Sequence, residues 1–188
     1  MKTKSTLRII GGQFRGKKLQ FPAIEGLRPT PDRIRETLFN WLMNDIHDAH
    51  CLDAFAGSGA LGFEAFSRGA GQVTLLEQDA TAYGNLLKLA TSFHSPKLGV
   101  KKIDALEFLQ STAAQFNIIF LDPPFAKNYL PQCLEIIAAA DLLMDNGLVY
   151  LESPEEVVTN PSLWEPITLK RAGRVVYGLY KKNHVISK

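Results

Sequence analysis

An α/β fold with a mostly parallel sheet and helices on both faces is predicted by three features of this sequence. From Cys51 onward, short apolar strand-like runs alternate with helical stretches, the order that builds parallel sheets through crossovers. The first of these runs enters Gly57-Ser58-Gly59-Ala60-Leu61-Gly62. Here the Gly-x-Gly-x-x-Gly spacing is flanked by a strand and a helix, the Rossmann-like context in which such a loop approaches a ligand. Finally, Asp53, Glu77, Asp104 and Asp122 fall in or at the ends of strands one to four. Ligands of open α/β sheets bind outside those strand ends. One such acid could be a helix cap, a good alternative for Asp104, but four together describe one cleft.

In chain order, Leu7–Ile10 and Lys17–Phe21 read as a β-hairpin around Gly11, Gly12 and Gly16. Pro22 to Pro29 is a linker. Thr30-Pro31-Asp32 predicts a helix start, with Thr30 as cap and Pro31 at the first helical position. Ile34, Leu38, Trp41 and Leu42 then recur at helical spacing. Strand one is Cys51–Phe55, followed by a helix to Arg68. Strand two is Val73–Leu76, ending in Glu77-Gln78-Asp79, with a helix over Ala82–Phe93. Strand three is Gly99–Ile103, ending in Asp104-Ala105, with a helix over Leu106–Ser111. Strand four is Ile118–Leu121. Leu130, Leu134, Ile137 and Ala138 mark the next helix, and Asp145-Asn146-Gly147 turns into strand five, Leu148–Leu151, ending at Glu152. Ile167–Lys170 and Val175–Tyr180 close the chain as an antiparallel hairpin, giving a seven-stranded sheet.

Strand four ends in Asp122-Pro123-Pro124-Phe125. Two prolines cannot donate to a sheet ladder, and Pro124 keeps Pro123 out of the helical region. The chain therefore leaves the sheet as a stiff extended loop. One carboxylate, free carbonyls and one ring on such a loop suit a flat base bearing an amino group. The alternative for Phe125 is packing in the cleft wall.

Charge is divided unevenly. The net charge is +2, yet residues 1–35 hold nine Lys/Arg against two Asp/Glu, and the remainder twelve against seventeen. A basic head on an acidic body suggests a polyanion partner, the alternative being a solvated arm. Phe14 beside Arg15, with Lys17 and Lys18 close behind, fits phosphate contacts with a stacked base; Phe14 could equally pack the hairpin down. Arg28, Arg33 and Arg35 gather at a helix start, where they do not offset its dipole, with ion pairs to Asp32 and Glu36 as the alternative. Cys51 and Cys133 fit no metal or redox spacing and read as small core residues, and the four histidines form no paired motif, so no metal is expected. No apolar run approaches a membrane span and no signal core follows the basic start, so a cytoplasmic location is expected.

Asp53-Ala54-Phe55-Ala56-Gly57-Ser58-Gly59 resembles the S-adenosylmethionine loop of class I methyltransferases, and Asp122-Pro123-Pro124-Phe125 their signature for methylating exocyclic base amines. The segments from Arg8 to Gly16 and from Leu27 to Asn40 resemble one family in particular. That family is the bacterial 16S ribosomal RNA (guanine(966)-N2)-methyltransferases, small-subunit methyltransferase D. Phe14 and Pro31 depart from it, standing where a Trp and a Thr or Ser are common.

The resemblance implies a basic hairpin extension and linker over 1–27 and a methyltransferase domain over 28–188. It implies S-adenosylmethionine as cofactor, held by Thr30, Asp53, Phe55, Gly57, Ser58, Gly59, Glu77, Gln78, Asp104 and Ala105. Catalysis would rest on Asp122, Pro123, Pro124 and Phe125, with Phe125 stacking on the extruded base. RNA would meet Arg8, Phe14, Arg15, Lys17, Lys18, Arg28 and Arg33. The partner implied is 16S rRNA in an assembled or late-assembling small subunit; a monomer is the default expectation. A DNA or other RNA amino-methyltransferase remains an alternative, though there is little room for a separate target-recognition domain. A non-catalytic RNA-binding factor with the same fold is another.

Overall fold

The central strands are unbroken apolar runs because the sheet is covered on both faces. The computed structural model of the chain describes residues 4–24, 27–125 and 129–183. The first three residues of the basic start, and Glu25 and Gly26 of the linker, lie outside the described residues. Seven strands form the main sheet: β3 (His50–Asp53), β4 (Gln72–Leu76), β5 (Leu98–Lys101), β6 (Phe116–Leu121), β7 (Leu143–Ser153), β8 (Trp164–Ala172) and β9 (Val175–Lys182). Their order is β5-β4-β3-β6-β7-β9-β8. The first five are parallel, while β9 runs antiparallel to both β7 and β8. The order reverses between β3 and β6, where Asp53 lies opposite Phe120. A crevice opens at such a switch point.

Side chains alternate between two core layers. Cys51, Val73, Leu75, Ile118, Phe120, Leu148 and Tyr150 enter one. Leu52, Leu76, Ile119, Leu121, Val149 and Leu151 enter the other. The first layer is covered by α1 (Asp32–Trp41), α2 (Ala60–Ser67) and α3 (Ala80–Thr91), the second by α4 (Ala105–Ser111) and α5 (Tyr129–Ala139). Among the described residues no helix is long and apolar enough to cross a membrane.

The N-terminal hairpin, β1 (Lys4–Arg8) with β2 (Lys18–Pro22), pairs antiparallel. Leu7, Ile9, Leu19 and Phe21 are buried in the same layer as Ile34, Phe39 and Phe63. The boundary expected after residue 27 thus separates segments of chain, not cores. A buried ionic cluster makes the junction. The Glu64 carboxylate accepts from the amides of Ile10 (3.0 Å) and Gly11 (2.9 Å), from Arg35 Nη1 (3.1 Å) and from Arg68 Nε (2.8 Å). Arg35 is fully buried and also donates to Asp32 Oδ1 (2.6 Å) and to the carbonyls of Arg8 (2.9 Å) and Thr30 (3.2 Å). One of the basic head's charges is therefore spent inside the protein, partly on Asp32 and partly on Glu64.

Some expectations need correction. Thr30 does not cap α1: the helix begins at Asp32, Pro31 is its extended flanking residue (ψ 146°), and no side chain caps it. The fifth parallel strand starts earlier than Leu148, because Asp145-Asn146-Gly147 sits inside β7 as an irregularity, Asn146 taking φ +61°. The third parallel strand ends at Lys101, leaving Ile103 to pack on the α4–α5 layer from the loop.

Candidate active site

At the switch point the first acid is wholly enclosed. Asp53 ends β3, is 2% exposed, and accepts from the Gly62 amide at 2.9 Å. This bond ties the strand end to the first turn of α2, fixing the loop between them. Burial pushes the Asp53 carboxyl up to about 7; amides of Gly62 and Phe55 draw it down, while Asp122 and Glu77 push it higher. The loop needs its glycines. Gly59 takes φ +81°, and a Cβ there would stand 2.3 Å from the Phe63 ring; one at Gly62 would stand 2.8 Å from Leu75. Ser58, between Gly57 and Gly59, is buried.

Beyond β4, the Glu77 carboxylate accepts from the Gly57 amide (3.0 Å) and the Asp79 amide (2.8 Å). It thereby joins the glycine loop to the next loop at the cleft's edge, while Gln78 is exposed. Asp104 caps α4, its Oδ1 accepting from Leu106 (2.8 Å) and Glu107 (3.2 Å), which leaves Oδ2 outside the cap. Ala105 is buried at the start of that helix, and Phe55 leans on Tyr129 with ring centroids 5.4 Å apart. The cleft is thus a glycine cradle with carboxylates on its rim.

Asp122 follows β6 and is half-buried. The Thr30 hydroxyl donates to its Oδ2 at 3.3 Å. Burial raises the Asp122 carboxyl to about 6, and the Thr30 bond opposes that rise. Pro123 is buried, Pro124 exposed, and Phe125 is 49% exposed. A ring that open presents a free face. Beside the motif lies a cleft of about 400 Å³ lined by Pro123, Phe125, Tyr129, Ser153, Glu155 and Val157, among others.

Glu152 was not among the sequence candidates. It is 3% exposed, and its Oε1 accepts from the Tyr150 hydroxyl at 2.8 Å. Burial, then the Asp122 charge, push it up to about 8 against hydrogen bonds from Tyr150 and Thr30. The signal was present: Glu152 ends strand five as the other acids end theirs.

The basic head divides. Arg15, Lys18, Arg28 and Arg33 are exposed. The Arg8 side chain is 62% exposed, 4.0 Å from Asp32. Lys17 lies over the Phe93 ring at 3.8 Å. Phe14 stacks on Phe66 at 5.4 Å and meets Phe93 edge-on at 4.9 Å. Its ring anchors the hairpin loop to α2 and to the turn after α3, so the base-stacking expectation for Phe14 is withdrawn.

A sheet of this order, a glycine cradle at its switch point and Asp-Pro-Pro-Phe on the neighbouring strand define a class I methyltransferase, whose methyl donor is S-adenosylmethionine. A family model described as "Conserved hypothetical protein 95" matches residues 7–181. Ribosomal RNA small subunit methyltransferase D of Escherichia coli K12 is 45% identical over 178 residues, covering 94% of this chain and 90% of that protein. Its namesake in Haemophilus influenzae is 43% identical over 183 residues, covering 95% of each. The solved structure of Escherichia coli yhhF superposes with a TM-score of 0.86 at 43% identity, covering 95% of this chain and 98% of that one. The chain belongs to the family of these small-subunit methyltransferase D proteins.

Gly59→Ala tests the cradle. The positive φ costs roughly 1–2 kcal/mol for a residue with a Cβ, and the buried Phe63 ring must also move. The expected result is a lower unfolding free energy by about 2 kcal/mol, with S-adenosylmethionine affinity reduced about tenfold or more by calorimetry.

Proposed function

We propose that the chain transfers a methyl group from S-adenosylmethionine to the exocyclic N2 of guanine 966 in 16S rRNA. Its substrate is the assembled or late-assembling small ribosomal subunit, and it acts as a cytoplasmic monomer. The observation that carries this reading is the Asp122 loop, which places an ionisable acceptor and a half-open ring next to the glycine cradle. The names of the related proteins support rRNA as the substrate class.

The cradle fits the cofactor. Gly57, Ser58 and Gly59 form the tight loop against which its methionine part would lie, with Asp53 fixing the loop from beneath. Glu77 offers a rim carboxylate to ribose hydroxyls, and Asp104 keeps Oδ2 free of its cap for the adenine amino group. Bound S-adenosylmethionine supplies an already activated sulfonium methyl, so the protein's task is orientation. The guanine amine is a poor nucleophile because its lone pair is delocalised into the ring. The Asp122 carboxylate and the Pro123 carbonyl accept from its two N–H groups and favour a pyramidal nitrogen. Asp122 is also placed to take the proton released after transfer. Phe125 stacks on the base once it leaves its own stack.

The test is incubation of the full chain with methyl-labelled cofactor and unmethylated small subunits, naked 16S rRNA or duplex DNA. Label should enter the subunits and be recovered as N2-methylguanosine; label in DNA alone, or in another nucleoside, would reject the reading. Exposed head charges should serve affinity. Replacing Arg15 and Lys18 by Ala should weaken RNA binding about tenfold near 0.1 M salt and lower the salt slope by about 1–2. A titration at several salt concentrations with an unchanged slope would remove the head from the interface.

A further inference from the structure

A second pocket, of about 320 Å³, opens where the N-terminal hairpin meets α1 and the end of α2, and its lining shares no residue with the glycine cradle or the Asp-Pro-Pro-Phe loop. That volume falls within the roughly 300–1,000 Å³ of small-ligand clefts. One wall is a face of α1: Asp32, Glu36 and Asn40 recur at every fourth residue and so share one side of the helix. The other wall is the hairpin, with Arg8 at the end of β1 and Arg15 in the loop. The amides of Gly16 and Ile9 donate to the carbonyls of Ile9 and Lys17, at 2.8 and 3.0 Å, and fix that loop. Arg68, which follows α2, lines the pocket as well.

The polar groups of this pocket are set in place but not used up. Arg68 Nε donates to Glu64 Oε1 at 2.8 Å, and the guanidinium carbon lies 5.2 Å from the centre of the Phe39 ring. Gly11 leaves it room, since a Cβ there would collide with Nη2. Among the described residues only the Nε of Arg68 is engaged, so its Nη groups remain as donors. Arg8 stands 4.0 Å from Asp32, a carboxylate that Arg35 holds more closely at 2.6 Å. Among the described residues the side chains of Arg15, Glu36 and Asn40 form no hydrogen bond or ion pair. The mixture of signs decides the kind of ligand. A bare phosphate is attracted by three guanidinium groups but repelled by two carboxylates on the facing wall. A nucleotide uses both, with charged donors on its phosphate and acceptors on the N–H groups of its base.

We propose that this pocket takes one nucleotide of the RNA strand, the neighbour of the methylated base. Arg8, Arg15 and Arg68 hold its phosphate. Glu36 accepts from an N–H group on its base edge, and Asn40 offers an amide donor and acceptor to the same edge. The placement supports a neighbour in the strand. Asp32 is two residues from Thr30, so their Cα atoms are at most about 8 Å apart, and the Thr30 hydroxyl donates to Asp122. The pocket and the proposed amine acceptor therefore flank the start of α1. A grip on the adjacent nucleotide holds the strand while the target base leaves its stack. This rests on the reading of the chain as an RNA methyltransferase that acts at Asp122.

The test uses the full chain and unmethylated small subunits, measuring subunit affinity and kcat/KM for methyl transfer. Glu36→Ala separates a base contact from general attraction, because the two predict opposite signs. Removing an acid from a surface that merely attracts a polyanion strengthens binding. Removing an acceptor for a base weakens it, and a loss of about fivefold to tenfold in affinity and kcat/KM is expected. Asn40→Ala should weaken binding to a similar extent with the salt slope unchanged, whereas Arg15→Ala should lower that slope by about one. Glu36 and Asn40 are exposed, so both variants should keep the wild-type melting temperature and cofactor affinity. Changing the nucleotide on either side of the target, one side at a time, should abolish the Glu36→Ala loss in one of the two altered subunits. Unchanged or tighter binding by Glu36→Ala, or a loss that persists in both altered subunits, would overturn the proposal while leaving the methyltransferase reading intact. A wild-type chain that labels no RNA would instead remove the reading on which it rests.

Discussion

Asp122→Ala should abolish methyl transfer while leaving S-adenosylmethionine affinity within about threefold, because the lost carboxylate is the proposed acceptor for the substrate amine and the glycine loop is held by other groups. The single-turnover rate should fall by about 10²–10⁴-fold, the range for removal of a positioned proton acceptor. Two effects contribute. The amine loses the acceptor that orients it, and the Thr30 hydroxyl loses its partner. Asp122→Asn separates them, since the amide keeps one acceptor oxygen but cannot be a charged acceptor or take a proton. Its rate should lie between wild type and Ala and show no acid limb near the value of about 6 to which burial raises Asp122. Turnover near wild type in Asp122→Ala, with bound cofactor confirmed, would show that the motif only shapes the pocket.

The parts of this site written in local sequence were the legible ones. Strand ends, the glycine spacing and Asp-Pro-Pro-Phe are short-range signals, and the alternation of strands and helices with four acids in or at the ends of the first four parallel strands pointed to the crevice. What did not read was pairing across long separations. Thr30 and Asp122 are 92 residues apart and meet through a single hydrogen bond. A Thr-Pro-Asp triplet looks like a helix cap in one dimension; only the placement of α1 over the switch point turns that hydroxyl to the acid. Phe14 beside Arg15 likewise has the composition of a nucleic-acid contact. Its partners Phe66 and Phe93 lie on α2 and in the turn after α3, and no nearby residue reveals them. Arg35 belongs to a basic cluster by sequence and to the core by structure, because its strongest buried partner, Glu64, comes from the helix after the glycine loop.

That buried pair carries the largest expected effect on stability. Arg35→Met preserves much of the volume but leaves Glu64 with one cation, and the carbonyls of Arg8 and Thr30 without a donor from this side chain. Breaking one side of a buried ion pair costs about 3–5 kcal/mol, or roughly 10 °C of melting temperature for a chain of this size. Glu64→Gln should cost a comparable amount, since its amide turns a donor towards two guanidinium groups and the amides of Ile10 and Gly11 lose a charged acceptor. Arg35→Met with Glu64→Gln together should cost less than the two separately, by about 1 kcal/mol or more, since the charge left unpaired by one change is removed by the other. Simple additivity in denaturant unfolding would mean that the cluster does not act as a unit. The same cluster ties the hairpin to α1 and α2, and Arg35 also holds the Thr30 backbone beside Asp122. Arg35→Met should therefore lower single-turnover transfer about tenfold even at temperatures where the variant is folded, and expose the hairpin to proteolysis. A variant that melts early but transfers methyl at the wild-type rate would confine Arg35 to stability. One that loses rate as well would show that the residues joining the N-terminal hairpin to the sheet also set the direction of Asp122.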